Sequence, residues 1–469
     1  MEPPDEHAKG QTAAPFRWNR DAFFAKLQAD FAKAKASGRA ETRLLVAREL
    51  EAARADLAEM IAIARGNRID HDRLADLREK LFELAPAVVA FPDDASSYLA
   101  LAEEIRAAAR VFANVEDRHA LYTTLYGLRV AVEEVLLAMT EAGAKTFEVW
   151  THDVRSKSTT SDVPSAIVNG VYVQSGDMLL SRGGAPTSAL IARGSDFPGN
   201  FSHVALVHID AQSREVSIIE AHIERGIAVS TAAEYLGDGK LRILALRLRD
   251  DHPALIDDPM LPHAVAMAAL KEARERHVAY DFGMKFEDPE KKFCSEVVWA
   301  PYKEKGVDLW QVRSTMSGAG VVSWLGSLGV GSFETLAPAD LEYDLQLVAF
   351  AEWRTQRSLR HDHIDNAVID GLLVQAERGL ALAAPWWKWP LAALAKAYSW
   401  VLNRFGKVGP VPEGMSAVVA LRVSDLMARF AASKTNLVLT VEAFEGQQKR
   451  FPAVWELVEM AKGGGKDSA

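Results

Sequence analysis

Apolar positions recur every three or four residues from about residue 20 to residue 145. Phe24, Leu27 and Phe31 open the pattern, and Leu50, Ala53, Leu57 and Met60 continue it. Leu74, Leu77, Leu81 and Leu84 follow, then Leu101, Ile105, Ala108 and Phe112, then Leu121, Leu125, Leu128, Val132 and Leu136. Each set forms one apolar stripe on a helix whose other faces carry charge. The spacing predicts an N-terminal helical domain over residues 1–150. Pro86 and the Phe-Pro-Asp-Asp run at residues 91–94 should break the array, with Asp94 placed to cap the next helix. Such stripes require a shared core and nothing more, so no chemistry is assigned to them.

The period changes after the polar run at residues 151–165, which reads as a linker. Short runs of alternating and β-branched residues follow at 177–181, 203–209, 216–223, 227–231 and 242–249, separated by Gly, Asp and Ser clusters. They read as strands joined by turns. A helix is expected over 262–277, then an apolar segment containing Cys294, then a glycine-rich run at 318–332 read as a flexible loop and candidate lid. Beyond Asp344 the chain reads as helical to its end, apart from a strand-like run at 436–444. The pattern divides the protein into residues 1–150, a mixed domain over 166–345 and a mostly helical region over 346–469. The fold class is α+β with an antiparallel sheet, and no internal repeat is present.

Composition narrows the function classes. The 469 residues are 49% hydrophobic and 25% charged, which is globular composition. Lys and Arg number 54 against 64 Asp and Glu, a formal charge of −10 with no basic block. That balance argues against a nucleic-acid partner. The first fifteen residues are acidic and proline-rich where an export signal needs a basic start and an apolar core, and no run reaches the length of a membrane span. A cytoplasmic location is the expectation, with a non-classical route elsewhere left open.

Cys294 is the single cysteine. Alone, it reads as a small buried hydrophobe. Its surroundings change that. Residues 294–303 read as an amphipathic helix with Cys294 in its first turn, where converging N–H groups lower a thiol pKa and can hold an oxyanion. On that basis Cys294 is expected to react as a thiolate. Such a nucleophile needs a histidine, and the histidine needs a carboxylate to orient it. His203 begins one strand, and Glu220 lies near the end of the next; paired antiparallel strands can bring both to one face. His208 and His222 compete for the base, although alternation places His208 on the face opposite His203.

The order of the segments Ser-Gly-Asp at 175–177, Phe-Ser-His-Val at 201–204, Glu-Ala-His at 220–222, Tyr-Asp-Phe at 280–282 and Cys-Ser-Glu at 294–296 resembles the YiiX-like, permuted papain-like (NlpC-type) cysteine hydrolases. In ordinary papain-like enzymes the cysteine helix precedes the histidine strand; in the permuted branch the order is reversed, as here. The resemblance spans about residues 175–344. It implies a permuted papain-like core, with an antiparallel sheet and a cysteine-bearing helix, flanked by the helical bundle and the C-terminal helices. It further implies Cys294 as nucleophile, His203 as base, Glu220 as the residue orienting His203, and Tyr280 as a hydroxyl donor to the oxyanion beside the Cys294 N–H. Asp177 and Glu296 are structural on this reading, and neither cofactor nor metal is expected.

The implied reaction is attack on an acyl carbon, giving a thioester that water or another nucleophile resolves. The substrate would be a peptide, a peptidoglycan fragment or a lipid, with amide and ester both open. The contrasting class is a catalytically idle papain-like scaffold with contact-making helical flanks. An intact Cys, His, Glu and Tyr set speaks against idleness.

Two other patterns stand outside this set. Arg-His-Asp-His-Ile-Asp at 360–365 resembles metal-ligand spacing but has no second cluster, and reads as a solvated helix face. The run 379–405 gathers Trp386, Trp387, Trp389, Tyr398 and Trp400 among Lys388, Lys396 and Arg404. A buried helix with snorkelling lysines accounts for it first. The other reading is peripheral membrane contact through Trp386, Trp387, Trp389 and Trp400.

Overall fold

The computed structural model describes residues 20–64, 70–111, 118–139, 147–148, 162–286, 288, 290–405 and 407–463. Residues 1–19, Phe112 and most of the polar run after Thr151 lie outside them, as do the side chains of Phe24 and Leu121.

Five helices, α1 (Arg20–Ser37), α2 (Arg39–Ala64), α3 (His71–Ala90), α4 (Ala95–Val111) and α5 (Arg118–Met139), make the N-terminal bundle. The stripes read from the sequence meet in one core, where Leu27, Leu50, Leu74, Leu81, Leu101 and Leu125 are all buried. Asp70 caps α3 by accepting from the N–H groups of Asp72 and Arg73, both at 3.1 Å. Pro86 does not break the array. It lies inside α3, whose last turn is held by the buried Ala85, Ala87 and Val88, and the helix ends at Phe91 before a 3-10 turn over Pro92–Asp94.

The central sheet has seven strands among the described residues: β1 (Phe147–Glu148), β2 (Met178–Gly183), β3 (His203–Ile209), β4 (Val216–His222), β5 (Gly226–Thr231), β6 (Lys240–Leu248) and β7 (Leu347–Arg354). Their spatial order is β1-β7-β6-β2-β3-β4-β5, and every pairing is antiparallel. The strand β7 corrects the expectation of helix after Asp344. Buried on both faces, it lacks the polar-apolar alternation that marks a half-exposed strand, and a short apolar run does not distinguish strand from helix.

One face of the sheet, through Leu180, Val204, Leu206, Ile219 and Leu246, packs on α6 (Leu261–Glu275) and α7 (Glu296–Glu304). The other face buries Ala205, Val207, Ile218, Ala245 and Phe350. The Gly-Asp turn before β2 has a steric cause. Gly176 has φ +96°, and a Cβ there would lie 2.4 Å from the Pro262 side chain. Its neighbour Asp177 is structural, as expected: it holds Arg247 through two 2.7 Å bonds and accepts from the Gln174 N–H.

The C-terminal part adds α8 (Ala319–Ser327), α9 (Gln356–Glu377), α10 (Trp389–Arg404), α11 (Ala417–Gln448) and α12 (Val454–Gly463). Two expectations fail here. The glycine-rich run is not a flexible loop or lid but largely α8, with Trp324 buried and Gly320 close against the Ala376 backbone, where a Cβ would sit 2.3 Å from a carbonyl carbon. The strand-like run at 436–444 lies inside α11, where Leu437 and Val441 are buried one helical turn apart. The helix α12 returns to the bundle, with the Trp455 indole donating to Gln28 and the Val454 N–H to Glu134.

The supposed solvated face at 360–365 is also corrected. Asp362, His363 and Asp365 are buried, because their partners arrive from distant parts of the chain. Arg182 of β2 pairs with Asp362 at 3.1 Å, and Arg242 of β6 reaches Asp362 at 3.4 Å. Arg242 also grips Glu133 of α5 at 3.0 and 2.9 Å and Glu352 of β7 at 2.7 Å. One cation thus ties bundle, sheet and C-terminal helices together. Arg242→Met should remove one buried cation from three carboxylates that Arg182, Arg129 and Arg354 then compensate only in part, at a cost of about 3–5 kcal/mol, read as a lowered urea midpoint. An unchanged midpoint would show that the network contributes nothing to stability.

Candidate active site

The strand β3 pairs with β4 in a register that sets Ala205 opposite Glu220. Continued by one step on the same face, this register brings His203 and His222 across from each other with Glu220 diagonal to His203. The side chains follow. His203 Nε2 lies 2.8 Å from Glu220 Oε2, and His222 Nε2 lies 3.1 Å from Glu220 Oε1. The Ser230 hydroxyl of β5 donates to Glu220 Oε1 at 3.2 Å. The carboxylate is only 3% exposed, so its hydrogen bonds are made in a medium where an unpaired charge would be costly.

Cys294 arrives from the other side, 4% exposed. It stands in a turn just ahead of α7 and not in that helix's first turn, a correction to the sequence reading. The Glu296 N–H bonds to the Phe293 carbonyl at 3.1 Å and the Val297 N–H to the Cys294 carbonyl at 3.3 Å, so the chain winds tighter than an α-helix before α7 begins. Glu296 closes this turn by accepting from the Phe293 N–H at 3.1 Å, and Ser295 anchors it by donating to the Leu336 carbonyl at 2.6 Å. The structural role expected for Glu296 has this physical content.

His203 is hydrogen-bonded to Glu220, and Cys294 is its other electrostatic neighbour. With Nε2 committed to Glu220, Nδ1 is the nitrogen left for the sulfur. Burial alone would push the imidazole pKa down, but the contacts with Cys294 and Glu220 and the charges on both lift it to about 9. Burial would raise the Glu220 carboxyl, yet the two imidazoles hold it well below the usual carboxylate range. The arrangement favours an imidazolium between a sulfur and a carboxylate.

Tyr280 is carried by a two-residue strand that pairs with Lys291–Lys292, and the Asp281 N–H bonds to the Lys292 carbonyl at 3.2 Å. That pairing sets the tyrosine beside the segment leading to Cys294. Burial first, and then the charge on Cys294, push its phenol well above its ordinary value, so it remains a protonated donor.

The structure therefore brings Cys294, His203, Glu220 and Tyr280 together. His208 is not among them: it stacks on His263 with ring centroids 5.7 Å apart, on the opposite face of β3 as alternation requires. His222, a competitor in the sequence, is a second partner of Glu220. Ser230 was missed; only the strand register of the β4–β5 hairpin could have revealed it.

Among the described residues no group of His, Cys, Asp and Glu is arranged to hold a metal ion, and no helix is long and apolar enough to cross a membrane. No curated protein and no solved structure matches the chain. Residues 172–347, the span that holds Cys294, His203, Glu220 and Tyr280, match the family model of the permuted papain-like amidase enzymes, YaeF/YiiX, C92 family, which supports a cysteine hydrolase.

Proposed function

We propose that the domain cleaves an amide or ester bond of an acyl-containing substrate through a thioester on Cys294. The observation that carries this reading is the chain from Glu220 through His203 to Cys294, with the imidazole held protonated by both neighbours. The sulfur supplies an electron pair to the acyl carbon while the carbonyl oxygen takes up negative charge. Tyr280, protonated and close to the sulfur, donates to that oxygen. Collapse of the tetrahedral species breaks the acyl bond, and the His203 proton passes to the leaving nitrogen or oxygen. Water then gives a proton back to His203 and adds to the thioester, releasing the acid and restoring the thiolate. Another nucleophile in place of water makes the same intermediate an acyl donor, so transfer and hydrolysis share one mechanism.

Peptides, peptidoglycan fragments and lipids all present such a bond. An amphipathic substrate is favoured by the exposed aromatic residues of α10, which shares a groove with the turn between β4 and β5. The idle-scaffold reading is disfavoured, because a non-catalytic fold needs no buried carboxylate with three partners behind a histidine that meets a thiol. The test is rapid-quench mass spectrometry with an activated ester. The expected result is a gain equal to the acyl group less one hydrogen, mapped to Cys294, that decays with time. A stable adduct elsewhere, or none, sinks the proposal. Tyr280→Phe should slow acylation by roughly 10- to 1000-fold, and an unchanged burst rate would leave Tyr280 a packing residue.

A further inference from the structure

The segment read first as a buried helix is exposed. From Leu391 the positions Leu394, Tyr398, Val401 and Phe405 follow at helical spacing and form one apolar stripe along α10, all facing solvent. Phe405 is 75% exposed and Trp386, in the 3-10 turn before the helix, 74%. Trp387, Trp389 and Trp400 are exposed as well. The opposite side of α10, through Ala392 and Ser399, is buried. The helix thus buries only small residues and turns its largest outward, the reverse of a core helix. Solvated proteins seldom show an apolar patch of this extent without a partner.

Charge indicates the partner. Between Glu377 and Glu413 the chain carries Arg378, Lys388, Lys396, Arg404 and Lys407 and no acidic residue, in a protein of net charge −10. Aromatic side chains with an apolar body and a polar tip, ringed by cations, suit the boundary between acyl chains and anionic headgroups. A second copy docked patch to patch would set these cations against one another.

We propose that α10 and the turn before it form a docking surface for an anionic lipid bilayer, independent of the chemistry at Cys294. The placement gives the surface a use. An open groove of about 890 Å³ beside α10 is lined by Lys396, Trp400 and Arg404 on one side, and by Glu224, Arg225 and His277 on the other. Glu224 and Arg225 form the turn joining β4, which bears Glu220 and His222, to β5. Docking would therefore lay the hairpin that bears Glu220 next to the membrane surface.

The experiment is flotation of the full chain with phosphatidylcholine vesicles and with vesicles containing phosphatidylglycerol. The expected result is co-flotation with the anionic vesicles, weakened by high salt, and at least tenfold lower for a Trp386→Ser, Trp387→Ser, Trp389→Ser variant. That variant should keep the wild-type melting temperature, because the three indoles are exposed. Cys294→Ala should float like wild type, which separates this surface from the catalytic reading. Wild type that stays with the soluble fraction overturns the proposal, as does undiminished flotation of the triple variant. A wild-type dimer that the triple variant dissociates, with no vesicle binding by either, overturns it in favour of self-association.

Discussion

Cys294→Ala should lower turnover by about 10⁵-fold or more, and His203→Ala should cost nearly as much, because a nucleophile and its base act as one unit. The double variant is then scarcely worse than either single one. Additive losses, measured as kcat/KM on the same activated ester, would mean that the two residues do not share a step. A second readout is independent of turnover. The His203 imidazole titrates near pH 9 in the wild type, since burial, which lowers it, is outweighed by the contacts and charges of Cys294 and Glu220. Cys294→Ala removes the sulfur and leaves only Glu220 to raise the value, so the imidazole resonance must titrate at lower pH. A titration unmoved by the loss of Cys294 would separate the ring from the sulfur and remove His203 as its base.

The same pair sets a pH dependence for stability. The folded pKa of His203 lies above its unfolded value of about 6.5, so its contribution is complete below that value and is lost as pH rises through about 9. Glu220 is shifted the other way, so its contribution is present above about pH 4.3, the ordinary value for Glu, and is lost as pH falls. Between these limits both terms favour the folded state.

The pairing of His203 with Glu220 was legible because it rests on local patterns, whereas Tyr280 came only with the family resemblance. Alternation along 203–209 assigns His203 and His208 to opposite faces, and the hairpin β3–β4 fixes which carboxylate can reach His203. What the sequence hid depends on neighbours remote in the chain. The stretch 360–365 looks solvated until Arg182 and Arg242 are placed against Asp362. The strand β7 and the 436–444 turns of α11 were confused for one reason. A short apolar run fits either element, and only its burial against β6 or within a 32-residue helix decides. The stripe on α10 was legible as a stripe, but periodicity does not say whether an apolar face turns inward or outward. Exposure of Leu391, Leu394 and Phe405 supplies that.

Glu220→Gln should lower kcat by about 10²- to 10⁴-fold while the fold persists. Glutamine keeps the shape but not the charge, and it offers an amide donor where both His203 and His222 need an acceptor. Because Glu220 acts through His203, the loss should come with a change in pH profile. In the wild type the alkaline limb of kcat/KM should report loss of the imidazolium near pH 9; in Glu220→Gln that limb should move to lower pH, since the carboxylate no longer supports the charged ring. His222→Ala is the control. His222 shares Glu220 at 3.1 Å, against 2.8 Å for His203, so losing it leaves Oε1 to the Ser230 hydroxyl and the His203 bond in place. Its effect on kcat should be small and its alkaline limb unmoved. The reverse outcome, a crippled His222→Ala beside a silent Glu220→Gln, would transfer the positioning role from the carboxylate to the second imidazole. A Glu220→Gln enzyme that is slow but has an unmoved limb would show that the carboxylate supports the strand pairing and not the proton on His203.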